Sequence, residues 1–249
     1  QLKAQATNAP NAVDRYEALI QLRGALTPSE IAEMYEKEPY ADVKSELVIH
    51  AMMDLSFPDN YEVFSKAFKL DDVEIHKTIL SNTIIIDEVR EHLYVSLLSS
   101  PSNIVAEKAL DLLCFYRLKD VDKYLELTKS RIGNRSKNIR IKWLEWSYMT
   151  TLNEAHLDEL ISYLSNSYEF ITRTNAAAAL ERINVMNETG VRYLLEGLFS
   201  PNSRLRGPLN GTVKHFYNQT MYQLMIRNVI LSNQWSEKEL NTLKKFLVH

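Results

Sequence analysis

The chain has 249 residues and a formal net charge of −3 at pH 7, with only 6 Gly and 7 Pro. All-β sandwiches and barrels draw on Gly and Pro for their frequent turns, so this composition argues against them. A hydrophobic share of 45% excludes global disorder, and the mildly acidic balance disfavours a nucleic-acid binder or a polybasic membrane protein. The single cysteine, Cys114, excludes an internal disulfide and lies in an apolar run, which predicts a buried thiol.

Helical signals recur along the whole chain. The first predicted helix runs from about Ala12 to Arg23, with Gly24 as its stop. Thr27–Glu30 and Ser236–Glu239 have the capping-box pattern, and Asn153 opens another helix with a leucine-rich buried side. No segment alternates as a strand does, and no apolar run approaches the roughly 18 residues of a membrane span. We therefore expect an all-α protein without a membrane span.

The helices recur with a regular period. Similar boundary segments begin near residues 39, 71, 101, 135, 168 and 201, in steps of 30 to 34 residues. A repeat of that length holds two helices and their turns, and each pair must bury its apolar face against the next pair. The segment Phe170–Ile183, in which Thr-Arg is followed by an alanine-rich stretch, resembles the second helix of a HEAT repeat. The sequence thus predicts a HEAT-like helical-repeat solenoid of about 14 helices.

Motifs that carry enzyme chemistry are missing from this sequence. It contains no His-Glu-x-x-His, no Walker loop, no Gly-x-Gly-x-x-Gly and no Gly-x-Ser-x-Gly. No two of its six histidines lie three to five residues apart, so no helix offers a two-histidine metal face. We predict no catalytic residue, no metal ligand and no cofactor in this chain.

Cationic residues form two patterns that suit an anionic ligand. The segment Lys129–Lys142 holds six cations and no acid, and it is either a solvated turn followed by a helix start or an anion-binding segment. Arg140, Arg173 and Arg206 are each 33 residues apart. The three arginines form either a structural ladder, each paired with an acid of a neighbouring repeat, or a cationic row for peptide carboxylates. No aromatic residue interleaves the cations, which disfavours nucleic acid. The candidate peptide- or anion-binding residues are Arg135, Lys137, Arg140, Arg173 and Arg206.

The segment Asn11–Leu22 carries a family resemblance. It is similar to the start of the C-terminal helical domain in aminopeptidase N-type zinc metallopeptidases, the gluzincin aminopeptidases. The matching residues are Asp14, Arg15, Tyr16, Glu17, Ala18 and Gln21. Val13 departs from the usual aromatic residue, and Tyr16 stands where Trp is more usual. The resemblance implies that residues 1–11 lead in from an upstream domain and that 12–249 form the HEAT-like domain.

The same resemblance implies a function. The parent polypeptide would be a zinc aminopeptidase whose zinc ligands and catalytic glutamate lie upstream. This chain would be its non-catalytic helical domain, which covers the active site and limits or contacts the peptide substrate. Its partners would be the upstream catalytic domain and the peptide. Arg15 and Glu17 are expected to be structural, fixing the first helix against its neighbour.

Two other functions compete with this interpretation. One is a free-standing HEAT-repeat scaffold that binds a protein or peptide in its concave face. The other is a HEAT-like enzyme acting on nucleic acid, as in the alkylpurine DNA glycosylases. That second alternative requires a strongly basic face, and the net charge of −3 counts against it. The sequence leaves the compartment open.

Overall fold

The computed structural model of the protein describes residues 1–133 and 137–247. Every regular element within those ranges is helical, which confirms the all-α prediction. The chain divides into an N-terminal unit, Gln1–Asp120, and a C-terminal unit, Val121–His249. The described residues form sixteen α-helices rather than about 14. The excess reflects short helices of seven or eight residues, too brief to show a clear apolar period in the sequence.

The N-terminal unit holds eight α-helices in two layers. The helices are α1 (Leu2–Asn8), α2 (Ala12–Gln21), α3 (Pro28–Lys37), α4 (Ala41–Met52), α5 (Pro58–Lys69), α6 (Val73–Asn82), α7 (Glu91–Leu97) and α8 (Asn103–Tyr116). Helices α2, α4, α6 and α8 pack side by side, while α3, α5 and α7 form the second layer and α1 packs on α2. A short 3-10 turn, Leu118–Asp120, follows α8.

The C-terminal unit has the same layered arrangement. The helices are α9 (Val121–Thr128), α10 (Asn138–Thr151), α11 (Glu154–Ser162), α12 (Phe170–Ile183), α13 (Glu188–Gly197), α14 (Ser203–Tyr217), α15 (Thr220–Ser232) and α16 (Glu237–Leu243). Helices α10, α12 and α14 pack in one layer and α11, α13 and α15 in the other, while α9 packs on α10. Two 3-10 turns, Lys129–Arg131 and Lys244–Phe246, follow α9 and α16.

The predicted repeat boundaries coincide with one helix layer in each unit. The helices α4, α6, α8, α10, α12 and α14 begin at residues 41, 73, 103, 138, 170 and 203. Each begins two or three residues after a predicted boundary. The period in the sequence therefore marks the start of every second helix, and each repeat is one helix pair.

Local signals set the helix ends. Both capping boxes form, with the backbone N–H of Glu30 donating to Thr27 Oγ1 and that of Glu239 donating to Ser236 Oγ. The Asn153 side chain accepts a hydrogen bond from the N–H of Ala155 at 3.0 Å, which caps α11. The turn after α2 contains Gly24 at φ +77°, a left-handed conformation that suits glycine.

Small residues allow close packing where the HEAT resemblance lies. In α12, Ala176, Ala177 and Ala179 are almost fully buried, so α10 and α14 can pack closely on either side of it. Cys114 is fully buried in α8, which confirms the prediction for its thiol. These contacts bury the apolar faces between successive pairs within each unit.

An extended connection separates α6 from α7. Ile86 is buried and anchors this segment, but Ile84 is 83% exposed and Ile85 is 53% exposed. The backbone N–H groups of residues 84–86 form no hydrogen bond with any residue that the structure describes. The connection thus presents apolar side chains and free backbone donors together.

Candidate functional site

The first member of the predicted arginine row is held by an acid. Arg140 lies in the first turn of α10, and its Nε and Nη2 donate to the two carboxylate oxygens of Glu159 on α11, at 2.8 and 2.5 Å. The guanidinium also lies 5.1 Å from the centre of the Trp143 ring. These hydrogen bonds lower the pKa of Glu159 and raise that of Arg140, in each case against the opposing effect of burial. This guanidinium is therefore already paired with a carboxylate.

The other two arginines differ in exposure. Arg173 in α12 is buried, and its Nε donates to the carbonyl of Leu164 at 2.8 Å. Burial lowers the pKa of Arg173, because a charged group loses its hydration there. Arg206 in α14 is exposed and donates from Nη1 to the carbonyl of Ser200 at 3.0 Å. Of the three, only Arg206 presents its charge largely to solvent.

The remaining candidates, Arg135 and Lys137, precede α10 in the sequence. Lys137 is half-buried and directly precedes that helix. Arg135 lies outside the residues that the structure describes.

The segment that carries the family resemblance holds a buried ion pair. Arg15 on α2 donates from Nε and Nη2 to the two oxygens of Glu38, both at 2.9 Å, and from Nη1 to the carbonyl of Ala9 at 2.7 Å. Burial alone would raise the pKa of Glu38, but hydrogen bonds from Arg15 and from the N–H of Tyr40 outweigh it and lower that pKa. Arg15 thus connects α2 to the end of α3 and to the segment before α2.

Glu17, the other residue assigned a structural role, has a different environment. It is exposed on α2 and forms no hydrogen bond or ion pair with the described part of the chain. Only Arg15 of the two contacts a neighbouring helix.

Two further buried carboxylates lie between helices of one layer. In the N-terminal unit, Glu46 of α4 accepts from Arg23 at 2.5 and 2.7 Å, and His50 lies 3.7 Å away. In the C-terminal unit, Glu145 of α10 accepts from Arg182 of α12 at 2.6 and 2.8 Å. Neither the repeat period nor a motif predicts these pairs. Their signal is an acid within an otherwise apolar helix face, matched by an arginine 23 or 37 residues away.

The two units carry opposite net charge. Residues 1–120 contain 20 acidic and 12 basic residues, a net charge of −8, whereas residues 121–249 contain 12 acidic and 17 basic residues, a net charge of +5. The total of −3 conceals this division. Oppositely charged surfaces favour different ligands, so the acidic unit suits cations and the basic unit suits anions.

The fold and these contacts define the class of protein. It is an all-α helical-repeat protein in which ion pairs to buried carboxylates join neighbouring helices. Within residues 1–133 and 137–247 we find no helix long and apolar enough to cross a membrane. The same residues contain no group of three His, Cys, Asp or Glu side chains arranged to hold a metal ion. Comparison of the sequence with protein-family models and with curated proteins finds no match.

Proposed function

We propose that this chain is the non-catalytic helical domain of a zinc aminopeptidase-like protein. In that role it covers the active site of an upstream catalytic domain, limits access to it and contacts the distal part of a peptide substrate. Zinc and the catalytic glutamate belong to the upstream domain. The proposal rests on the resemblance of Asn11–Leu22 to the family's helical domain, since the sequence comparisons supply no relative.

The observation that carries the proposal is the place of that segment in the fold. Asn11 caps α2 by accepting from the N–H of Val13 at 3.0 Å, and Arg15 is buried against Glu38. Ala18 of the same segment is fully buried. The segment that carries the resemblance thus forms α2, which packs between α1 and α4, and this position supports the proposal.

The basic unit supplies the surface for the far end of a peptide. A peptide that enters an aminopeptidase by its N-terminus directs its C-terminal carboxylate away from the catalytic centre. Arg206 offers an exposed guanidinium to such a carboxylate, and the net charge of +5 attracts it. Arg140 and Arg173 stabilise the helix array, since both are engaged with neighbouring groups.

The first test is the coding sequence that precedes Gln1. We expect it to encode His-Glu-x-x-His followed by a downstream glutamate. An initiating Met immediately before Gln1 would contradict the proposal. For the chain itself, we expect no hydrolysis of aminoacyl p-nitroanilides and no stoichiometric zinc by metal analysis, and one tightly bound zinc per chain would count against it.

The second test separates peptide contact from chemistry. In the full polypeptide, Arg206→Ala is expected to lower kcat/KM for long peptides by about two- to fivefold, the value of one exposed charge pair, and to leave aminoacyl p-nitroanilides unaffected. Arg204→Ala is the matched control, because it removes an exposed cation from the same helix. Equal effects of the two variants, or an equal effect on both substrates, would exclude a role for Arg206 in peptide contact.

A free-standing scaffold is the second candidate, and one observation favours it. Met53, Ile84, Ile85 and Val89 are all exposed and line one groove of about 440 Å³ in the N-terminal unit. Contiguous exposed apolar surface of this kind is typical of protein contacts. A coding sequence that begins at this chain, together with a stable complex formed by the chain alone with another protein, would favour the scaffold over the peptidase domain.

A further inference from the structure

A second groove in the N-terminal unit combines acidic, aromatic and buried polar groups. It has a volume of about 410 Å³ and is lined by residues of α2, α4 and α6. Among the described residues that line it, none is a lysine or an arginine. The groups that concern its chemistry are Val13, Tyr16, Tyr40, Asp42, Ser45 and Glu74.

Two carboxylates stand at equivalent places in successive repeats. Asp42 is the second residue of α4 and Glu74 is the second residue of α6, and these helices pack side by side. Asp42 is exposed and forms no hydrogen bond or ion pair with the part of the chain that the structure describes. Glu74 accepts from Lys77 at 2.7 Å in an exposed pair. The groove therefore has one uncompensated carboxylate and a second that is paired with Lys77.

A third carboxylate behind the groove is already neutralised. Glu46 also lines it, but both of its oxygens accept from Arg23, at 2.5 and 2.7 Å. The unpaired negative charge in the groove thus belongs to Asp42, while Glu74 shares its charge with Lys77.

Ser45 provides an independent sign that a ligand belongs here. This residue is only 8% exposed, and its Oγ is buried without a hydrogen-bond partner among the described residues. A serine on a helix can donate to the carbonyl four residues before it, and Ser45 does not. A buried hydroxyl without a partner is costly, and a ligand atom that pairs with it removes that cost.

Exposed apolar surface borders the charged groups. Tyr16 is 37% exposed, Tyr40 is 54% exposed and Val13 is 57% exposed. The Arg15 guanidinium lies 5.4 Å from the centre of the Tyr40 ring, and its charge is matched by Glu38. The other tyrosine is open to an aliphatic stem or to a cation over its ring.

We propose that this groove binds a lysine or arginine side chain of a peptide. The cationic head pairs with Asp42 and Glu74 and donates to Ser45 Oγ, while the aliphatic stem packs on Tyr16 and Val13. The net charge of −8 on residues 1–120 draws a cation toward it. The inference rests on the proposed function only in taking a peptide as the ligand, and it applies equally to a free-standing scaffold.

The test titrates the isotopically labelled chain with Ac-Ser-Ala-Lys-Ala-Ser-NH2 and follows the amide resonances by NMR. We expect saturable shifts confined to residues 12–16, 40–46 and 73–78, which weaken as salt is added. The arginine peptide should behave alike, whereas the norleucine peptide keeps the stem without the charge and should bind about tenfold more weakly. Equal binding of the norleucine peptide, or shifts confined to the C-terminal unit, would overturn the proposal.

Variants separate binding from folding. Asp42→Asn should weaken the lysine peptide about two- to fivefold, and Asp42→Asn with Glu74→Gln about tenfold. Asp59→Asn is the matched control, because Asp59 is the second residue of the neighbouring helix α5 and does not line the groove. No difference between Asp42→Asn and this control would contradict the proposal.

Ser45→Ala should affect stability and peptide affinity in different directions. It removes a buried hydroxyl without a partner, so the free energy of unfolding should stay equal or rise, while the affinity for the lysine peptide falls. Unchanged affinity would exclude Ser45 from the site. The experiment needs neither zinc nor a catalytic domain, so a negative result rejects the groove alone, and the coding-sequence test separately decides the proposed function.

Discussion

The two units share one architecture and differ in charge. Each is a two-layered array of helix pairs, yet residues 1–120 carry a net charge of −8 and residues 121–249 carry +5. Helix packing depends on the apolar faces, which are similar in both units, so surface charge is free to vary. The comparison shows that a chain-wide charge of −3 is a poor guide to ligands. That total is the sum of an acidic unit, which favours cationic ligands, and a basic unit, which favours anionic ligands.

The buried ion pair of Arg15 and Glu38 should give the largest effect on stability. Glu38→Ala removes the carboxylate and leaves the buried guanidinium of Arg15 with backbone carbonyls only, which should lower the free energy of unfolding by about 3 kcal/mol. Glu33→Ala is the control, since the pair of Glu33 with Lys37 is exposed and contributes little. Urea denaturation followed by far-UV circular dichroism measures both, and equal losses would show that Arg15 does not depend on Glu38.

Arginines of the predicted row should contribute unequally to the free energy of unfolding, because they differ in burial. Arg173→Ala leaves the buried Leu164 carbonyl without its donor and should cost about 2 kcal/mol, whereas Arg206→Ala should change stability by less than about 0.5 kcal/mol. All three tryptophans lie in residues 121–249, so tryptophan fluorescence during urea denaturation reports on this unit. A large loss for Arg206→Ala would show a structural role that its exposure does not suggest.

Two glycines in the C-terminal unit should respond with opposite signs. A methyl group at Gly197 would collide with Leu209 and approach Arg173 Nη2 at 3.1 Å, so Gly197→Ala should cost about 1–2 kcal/mol. Gly211 lies in the interior of α14 with nothing within 4 Å of such a methyl. Gly211→Ala should therefore stabilise by about 0.5–1 kcal/mol. Tryptophan fluorescence again measures both, and stabilisation by Gly197→Ala would contradict the packing described between α13 and α14.

The N-terminal unit should also lose stability in mild acid. We expect this loss to be smaller than those predicted above for the ion-pair, arginine and glycine variants. Burial lowers the pKa of His50, whose Nε2 donates to the Leu19 carbonyl at 3.0 Å. The unfolded chain titrates near 6.5, so the stability tied to neutral His50 is complete above that pH and is lost as the pH falls through the lower, folded-state pKa.

His50→Gln keeps a donor for Leu19 and removes the titration, so its stability should depend less on pH below about 6.5. His92→Gln, at an exposed histidine of the same unit, should leave the pH dependence as it is. Thermal denaturation across a pH series compares the variants. If the stability of His50→Gln depended on pH as that of the unmodified chain does, His50 would not be the cause of the loss in acid.

Local sequence patterns were sufficient for the fold. The capping boxes at Thr27 and Ser236, the turn at Gly24 and the repeat boundaries all depend on residues close in the chain, and the structure contains all of them. The first predicted helix ends earlier than expected, at Gln21 rather than about Arg23. Short helices such as Glu91–Leu97 add to the count because seven residues show barely two turns of periodicity.

The candidate sites depended on residues far apart in the chain. The 33-residue spacing placed Arg140, Arg173 and Arg206 at similar positions, but only the partners decide their roles, and Glu159 lies 19 residues from Arg140. The acidic groove was not predicted, because Asp42 and Glu74 line one groove only when α4 and α6 are packed side by side. Long-range contacts of this kind leave no pattern in a single sequence.

The exposed isoleucines at 84 and 85 have a consequence for handling the protein. An extended apolar segment with unpaired backbone donors is a template for cross-strand association between molecules. At neutral pH the surrounding negative charge of residues 1–120 keeps two such segments apart. Concentrated samples should therefore stay clear at neutral pH and turn cloudy as acid neutralises the carboxylates, beginning at this connection.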